Sequence, residues 1–166
     1  MLGEYLTNLR RNHALEHATV SLLISRLGPD IRVVGRASGD GFFLYGDVPS
    51  HLLVECAREG LARLQRGEAF WAVTPHCGTN IATAGFLAAL SMMAATGKSP
   101  GKDRFGRAMV AAMLAIIAAQ PIGRLLQRHV TTCADLSGTE IVAIEERGRG
   151  RFYKVRTRRQ AAGQAA

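Results

Sequence analysis

The stretch RNHALEHATVSLL, residues 11 to 23, sets His13, Glu16 and His17 in the order H-x-x-E-H within one and a half turns of a helix. Histidines at i and i+4 share a face and can both reach one zinc ion, at roughly 2.0–2.1 Å from each nitrogen. A glutamate just before the second histidine stands beside such an ion, where it can take a proton from water. The same three residues can also be satisfied core histidines and a plain Glu–His hydrogen-bonded pair. Which holds decides whether the chain is an enzyme.

Two histidines need a third donor. TPHCGTN, residues 74–80, supplies His76 and Cys77, both good zinc ligands. Gly78 permits a sharp turn, and Thr79 or Asn80 can cap the helix that follows. His76 is the first choice and Cys77 the second. Three protein ligands leave one position open, the catalytic arrangement; binding by both residues would close the shell and make the metal structural. Rival donors are Glu55 and Glu59 on a middle helix, and the i, i+4 pair His129 and Cys133.

The element that must carry the first motif is a helix over residues 6–27, closed by Gly28-Pro29. At 100° per residue Leu9, Val20, Leu23, Ile24 and Leu27 form one apolar stripe. His13, Glu16 and His17 fall on that stripe, while Arg11 and Arg26 fall opposite. A buried, unpaired carboxylate costs several kcal/mol or takes up a proton. A divalent metal accounts economically for two imidazoles and a carboxyl pointing inward.

Beyond this helix, IRVVGRA and FFLYG read as strands joined by the turn SGDG. DVPSHLLVECAREGLARLQRGE reads as a helix and AFWAV as a third strand leading into TPHCGTN. TEIVAIEER and RFYKVRTR read as two further strands about a Gly-Arg-Gly turn, rejoining the sheet; the QAAGQAA end reads as frayed.

Between these parts lie two apolar runs. GTNIATAGFLAALSMMAATG, residues 78–97, carries no charge, and AMVAAMLAIIAAQPIG fills 108–123. About 20 apolar residues cross a bilayer as a helix, and small residues let two such helices approach closely. The expected architecture is therefore an α/β or α+β head with an inserted two-helix transmembrane hairpin. Residues 1–77 form the head with its metal site, 78–127 the hairpin, and 128–166 the returning strands and a basic tail. A buried hairpin in a soluble protein is the alternative.

The first residues lack the apolar core of a signal peptide, and three cysteines without framework spacing suit reduced thiols. Both point to a cytoplasmic head, although Lys98, Lys102, Arg104 and Arg107 in the hairpin turn pull the other way. The net charge of +8 gathers in that turn and in the C-terminal tail. Such clusters suit anionic lipid head groups; few aromatics interleave with them in sequence, which argues against single-stranded nucleic acid. Oligomeric state is not encoded in any of these features.

The motif HALEH resembles the inverzincin pattern, in particular that of pitrilysin and insulinase-type metallopeptidases. In that family the motif helix is followed by strands and then a helix, the order read here. The resemblance implies that His13 and His17 are metal ligands and Glu16 the general base. The family's third ligand is a glutamate on a later helix; here the His76–Cys77 turn stands where that helix would begin. NHALEHAT and HCGTN around a hairpin also look like a family of small, uncharacterised bacterial membrane proteins. The function expected is a membrane-anchored zinc hydrolase of peptide or amide bonds. A non-catalytic, metal-stabilised scaffold that docks a membrane-protein partner is the alternative.

Overall fold

The computed structural model describes residues 2–97, 103–147 and 151–160. Lys98 and Lys102, the expected turn at 148–150 and the stretch 161–166 lie outside these described residues. The chain divides into two compact units, Met1–Thr74 with Arg128–Ala166, and Pro75–Gln127.

The first unit is α+β. Its leading helix, α1 (Leu2–Leu27), ends where Gly28 takes a φ of 92° and donates its N–H to the Ile24 carbonyl, with Pro29 barring continuation. Strands β1 (Val33–Ser38) and β2 (Gly41–Gly46) follow as a tight antiparallel hairpin, then α2 (Ser50–Gln65). After the second unit the chain returns as β3 (Thr139–Arg147) and β4 (Phe152–Arg159). The four strands run in the order β1-β2-β4-β3, each pairing antiparallel, so the C-terminal strands do rejoin the sheet.

Strand alternation sends Phe42 and Leu44 of β2, and Tyr153 and Val155 of β4, to the helical face. There they meet Ala14, Leu15 and Ala18 of α1 and Leu53 and Cys56 of α2. Each fully buried large side chain of this set contributes about 1.5–3 kcal/mol. The opposite sheet face carries Phe43, Tyr45 and Phe152, with Phe152 stacked on both of the others.

Two expectations fail here. AFWAV is not a strand: Ala69–Ala72 form a 3-10 turn. The turn closes on itself: the Trp71 N–H donates to the Glu68 carbonyl and the Val73 N–H to the Phe70 carbonyl, both at 3.2 Å. The Trp71 indole donates to Glu68 at 3.1 Å and lies under the Arg63 guanidinium. Arg11, expected on the solvated side of α1, is buried, because the stretch 132–137 covers that side as well. The middle of α1 is thus enclosed almost all round, wider than a single stripe.

The second unit is a helical hairpin of α3 (Gly78–Thr96) and α4 (Arg104–Leu126). Both are long and apolar enough to cross a membrane. Small residues Ala108, Ala115, Ala119 and Gly123 are the buried positions of α4. A Cβ at Gly123 would stand 2.2 Å from Asn80 Oδ1, so the glycine admits the Asn80 amide. That oxygen accepts from Gln127 Nε2 at 2.8 Å, and Asn80 Nδ2 donates to the Pro75 carbonyl at 3.0 Å.

Candidate metal centre

His17 is 2 % exposed and sits in the middle of α1. Its Nδ1 lies 2.8 Å from the Ala72 carbonyl oxygen, supplied by the 3-10 turn. A carbonyl can only accept, so Nδ1 carries a proton, and in the neutral ring Nε2 keeps its lone pair. That Nε2 is buried and has no hydrogen-bond partner among the described residues. Leaving such an acceptor unsatisfied costs about 1–3 kcal/mol.

His13, one turn earlier and half-buried, repeats the arrangement. Its Nδ1 lies 2.9 Å from the Thr131 carbonyl, which again directs the lone pair to Nε2. The two rings meet edge to face with centroids 4.3 Å apart, and a ring nitrogen of each lies within 4.8 Å of the other. Glu16 Oε2 is 3.9 Å from His13 Nε2. The motif's three side chains therefore gather in one place, as the spacing predicts.

The Glu16 carboxyl is itself buried, and β1 makes room for it. A Cβ on Gly35 would fall 2.0 Å from Glu16 Oε1 and 2.6 Å from its Cγ. Any other residue at this point of the strand would displace the carboxyl.

The carbonyl that holds His13 is in turn held by α1. Arg10 Nη2 donates to the carbonyls of His129 at 2.9 Å and Thr132 at 3.1 Å, and the Cys133 N–H donates to the Arg10 carbonyl at 3.0 Å. Arg11 adds a bond to the Asp135 carbonyl at 2.7 Å and an ion pair to its carboxylate at 3.0 Å. Hydrogen bonds from Ser137, and then the one from Arg11, hold the Asp135 carboxyl at about 2.

The donor set fits a zinc ion: two imidazoles, each with Nδ1 donating to a backbone carbonyl and Nε2 left to face an ion, one of them buried and without a hydrogen-bond partner among the described residues. The expected third donors both belong to the second unit. His76 is exposed on the turn before α3, whereas Cys77 is buried. Cys77, rather than Thr79 or Asn80, is the N-cap of α3, its sulfur accepting from the Thr79 N–H at 3.4 Å.

The rival donors are engaged otherwise. Glu55 pairs with Arg26 at 2.8 Å, and Glu59 bonds both Arg26 and Arg63, which holds its carboxyl below the usual range, Arg63 first. His129 is exposed, and Cys133 Sγ lies 4.0 Å from the Asp135 carbonyl. No disulfide joins Cys56, Cys77 and Cys133, and burial pushes the Cys56 thiol up, away from reactivity.

Sequence patterns missed four contributors: Gly35, the carbonyls of Ala72 and Thr131, and Arg11. A glycine inside an apolar strand signals close approach and marked Gly35 in principle. Backbone carbonyls leave no trace in residue type.

Residues 8–144 match the family described as "Domain of unknown function (DUF6391)", and the chain belongs to it. It is similar, at 32 % identity over 151 residues, to an uncharacterised protein of Picosynechococcus sp. (strain ATCC 27264 / PCC 7002 / PR-6); the match covers 83 % of this chain and 70 % of that one. No solved structure matches the chain significantly.

Proposed function

We propose that the protein is a membrane-anchored, zinc-dependent hydrolase of peptide or amide bonds, with His13 and His17 as ligands and Glu16 as the general base. The observation that carries this reading is the buried His17 Nε2, which has no partner among the described residues while its Nδ1 is spent on a carbonyl. Of the two candidate third donors, His76 is exposed and Cys77 buried, and Cys77 is the one proposed.

A zinc ion so held supplies Lewis-acid polarisation of a carbonyl and a lowered pKa for water. The chain's own part is narrower. Thr131 and Ala72 orient the imidazoles, and Gly35 gives the Glu16 carboxyl its place beside them, within 3.9 Å of His13 Nε2. From there Glu16 takes the proton and returns it to the leaving amine. The likeness of HALEH to the pitrilysin and insulinase motif supports the same roles.

The anchor is the α3–α4 hairpin. Only 11 % and 17 % of the apolar windows of its helices are buried, where a soluble core helix would be mostly enclosed. The proposed location is the bacterial plasma membrane with the head in the cytoplasm, and the substrate lies close to the bilayer.

Metal analysis of the detergent-purified protein tests the reading. About one zinc per chain is expected, lost in His13→Ala and His17→Ala. Glu16→Gln should keep the metal and lower hydrolysis of peptide substrates by about 10²–10⁴-fold. Metal-free wild-type protein refutes the site. Retained metal with no hydrolysis to lose would make it the structural centre of a scaffold instead.

A further inference from the structure

The stretch that follows α4, a π-helical turn (Gln127–Thr131) and then irregular chain, makes several polar contacts to α1. Three consecutive-region carbonyls, of His129, Thr131 and Thr132, receive donors from Arg10 and His13. The next residues are fixed by the Cys133 N–H and by both arms of Arg11 on Asp135. Five of these six bonds join residues other than the histidine. Their common consequence is the location of one acceptor, the Thr131 oxygen, 2.9 Å from His13 Nδ1.

That location matters because His13 differs from its neighbour. His17 is enclosed by the core and takes its carbonyl from a turn closed on itself at 67–73. His13 is half-buried, and its side chain is 20 % exposed. Packing encloses its ring less, so the acceptor on Nδ1 bears more on its tautomer and orientation than it does for His17. The acceptor lies 118 residues away in the sequence, beyond the whole apolar hairpin.

We infer that Arg10, Arg11 and Asp135 form a clamp whose role is to position the His13 imidazole, by pinning the Thr131 carbonyl on its Nδ1. Arg11 and Asp135 are positioning residues: neither touches the ligand nitrogens. The inference rests on the metal reading of His13 for its purpose, but the clamp acts on the ring whether or not an ion is bound. The buried Arg11 guanidinium, 7 % exposed, has this task instead of a solvated one.

The test uses the full chain in detergent, as wild type, Asp135→Asn, Asp135→Glu, Arg11→Gln and, as a control on the same helix, Arg26→Gln. Two quantities are read: cobalt(II) affinity with its visible absorption, and the ¹⁵N shifts of the His13 ring without metal. Loss of the clamp should weaken cobalt affinity on the order of 10-fold, the lower range for groups that orient a ligand. It should also change the band shape and mix the His13 tautomers. Asp135→Glu should restore both readouts, and Arg26→Gln should move neither. Circular dichroism confirms that each variant is folded.

Asp135→Asn and Arg11→Gln with wild-type cobalt affinity and a pure Nδ1–H tautomer would overturn the clamp. So would equal losses in Asp135→Glu and Asp135→Asn. Wild-type protein that binds no cobalt or zinc overturns the metal centre, and the ¹⁵N tautomer readout then decides the clamp by itself.

Discussion

The two units of this chain arrange polarity in opposite ways. In the α+β unit the large apolar side chains are inside: Leu15, Phe42, Leu44 and Val155 are 0 % exposed. In the helical unit they are outside: Phe86, Met93, Leu114 and Ile117 are 62–70 % exposed. Its buried positions are instead small or polar, among them Asn80, Thr83, Ala115, Ala119 and Gln127. The hydrophobic effect builds the first arrangement, whereas it cannot hold the second together, since the apolar surface is not hidden. Close approach of small residues and an internal amide bond do so, as in helices solvated by lipid.

Core truncation should separate the units most sharply. Phe42→Ala should cost the α+β unit about 3–5 kcal/mol, read by denaturant titration of its circular dichroism. Phe86→Ala should leave that transition where it is. A comparable loss in both variants would mean that the helical unit is ordinary soluble core.

Charge placed on the hairpin's outside gives the next largest effect. Leu114→Arg should oppose membrane integration by about 2.5–3.5 kcal/mol, visible as a shift from the membrane to the soluble fraction. On a water-facing surface the same change would stay within about 0.5 kcal/mol and leave fractionation unchanged.

Inside the α+β unit the burial of Glu16 offers a smaller lever. Gly35→Ala puts a methyl group 2.0 Å from its carboxyl oxygen. The expected loss is about 1–3 kcal/mol by overpacking. Glu16→Ala in the same chain should recover most of it, a coupling readable in a double-mutant cycle.

The smallest effect is on the acid limb. Asp135 titrates at about 2 in the folded unit and near 3.9 in an unfolded chain. Its folded value is depressed, so its contribution is complete above about pH 4 and is lost as pH falls through about 2. The carboxylate is 55 % exposed, so screening keeps the contribution small. Urea midpoints should fall less between pH 4.5 and 2 in Asp135→Asn than in wild type.

Much of the candidate centre was legible in the residue order. The spacing of His13, Glu16 and His17 predicts a shared inward face, and all three do meet there. Apolar periodicity likewise placed α1, α2, four of the five expected strands and both long helices. The error at AFWAV has a physical root. A short aromatic and aliphatic run suits a strand only if it docks along a sheet, and this one closes into a local 3-10 turn instead. Arg11 misled for a similar reason: a helical wheel assumes one covered side, and a distant segment covered the other.

What the sequence determined by itself is local: which residues share a helix face, where Gly28-Pro29 stops that helix, and which stretches are long and apolar enough to cross a membrane. These follow from 3.6-residue geometry and composition, which need no distant partner. Only the tertiary structure decided the imidazole tautomers and the cradle for Glu16. Those depend on carbonyls from Ala72 and Thr131 and on the missing Cβ of Gly35, which folding brings in from 55, 118 and 19 positions away. Backbone oxygens are the same in every residue, so no pattern of side chains could have announced them.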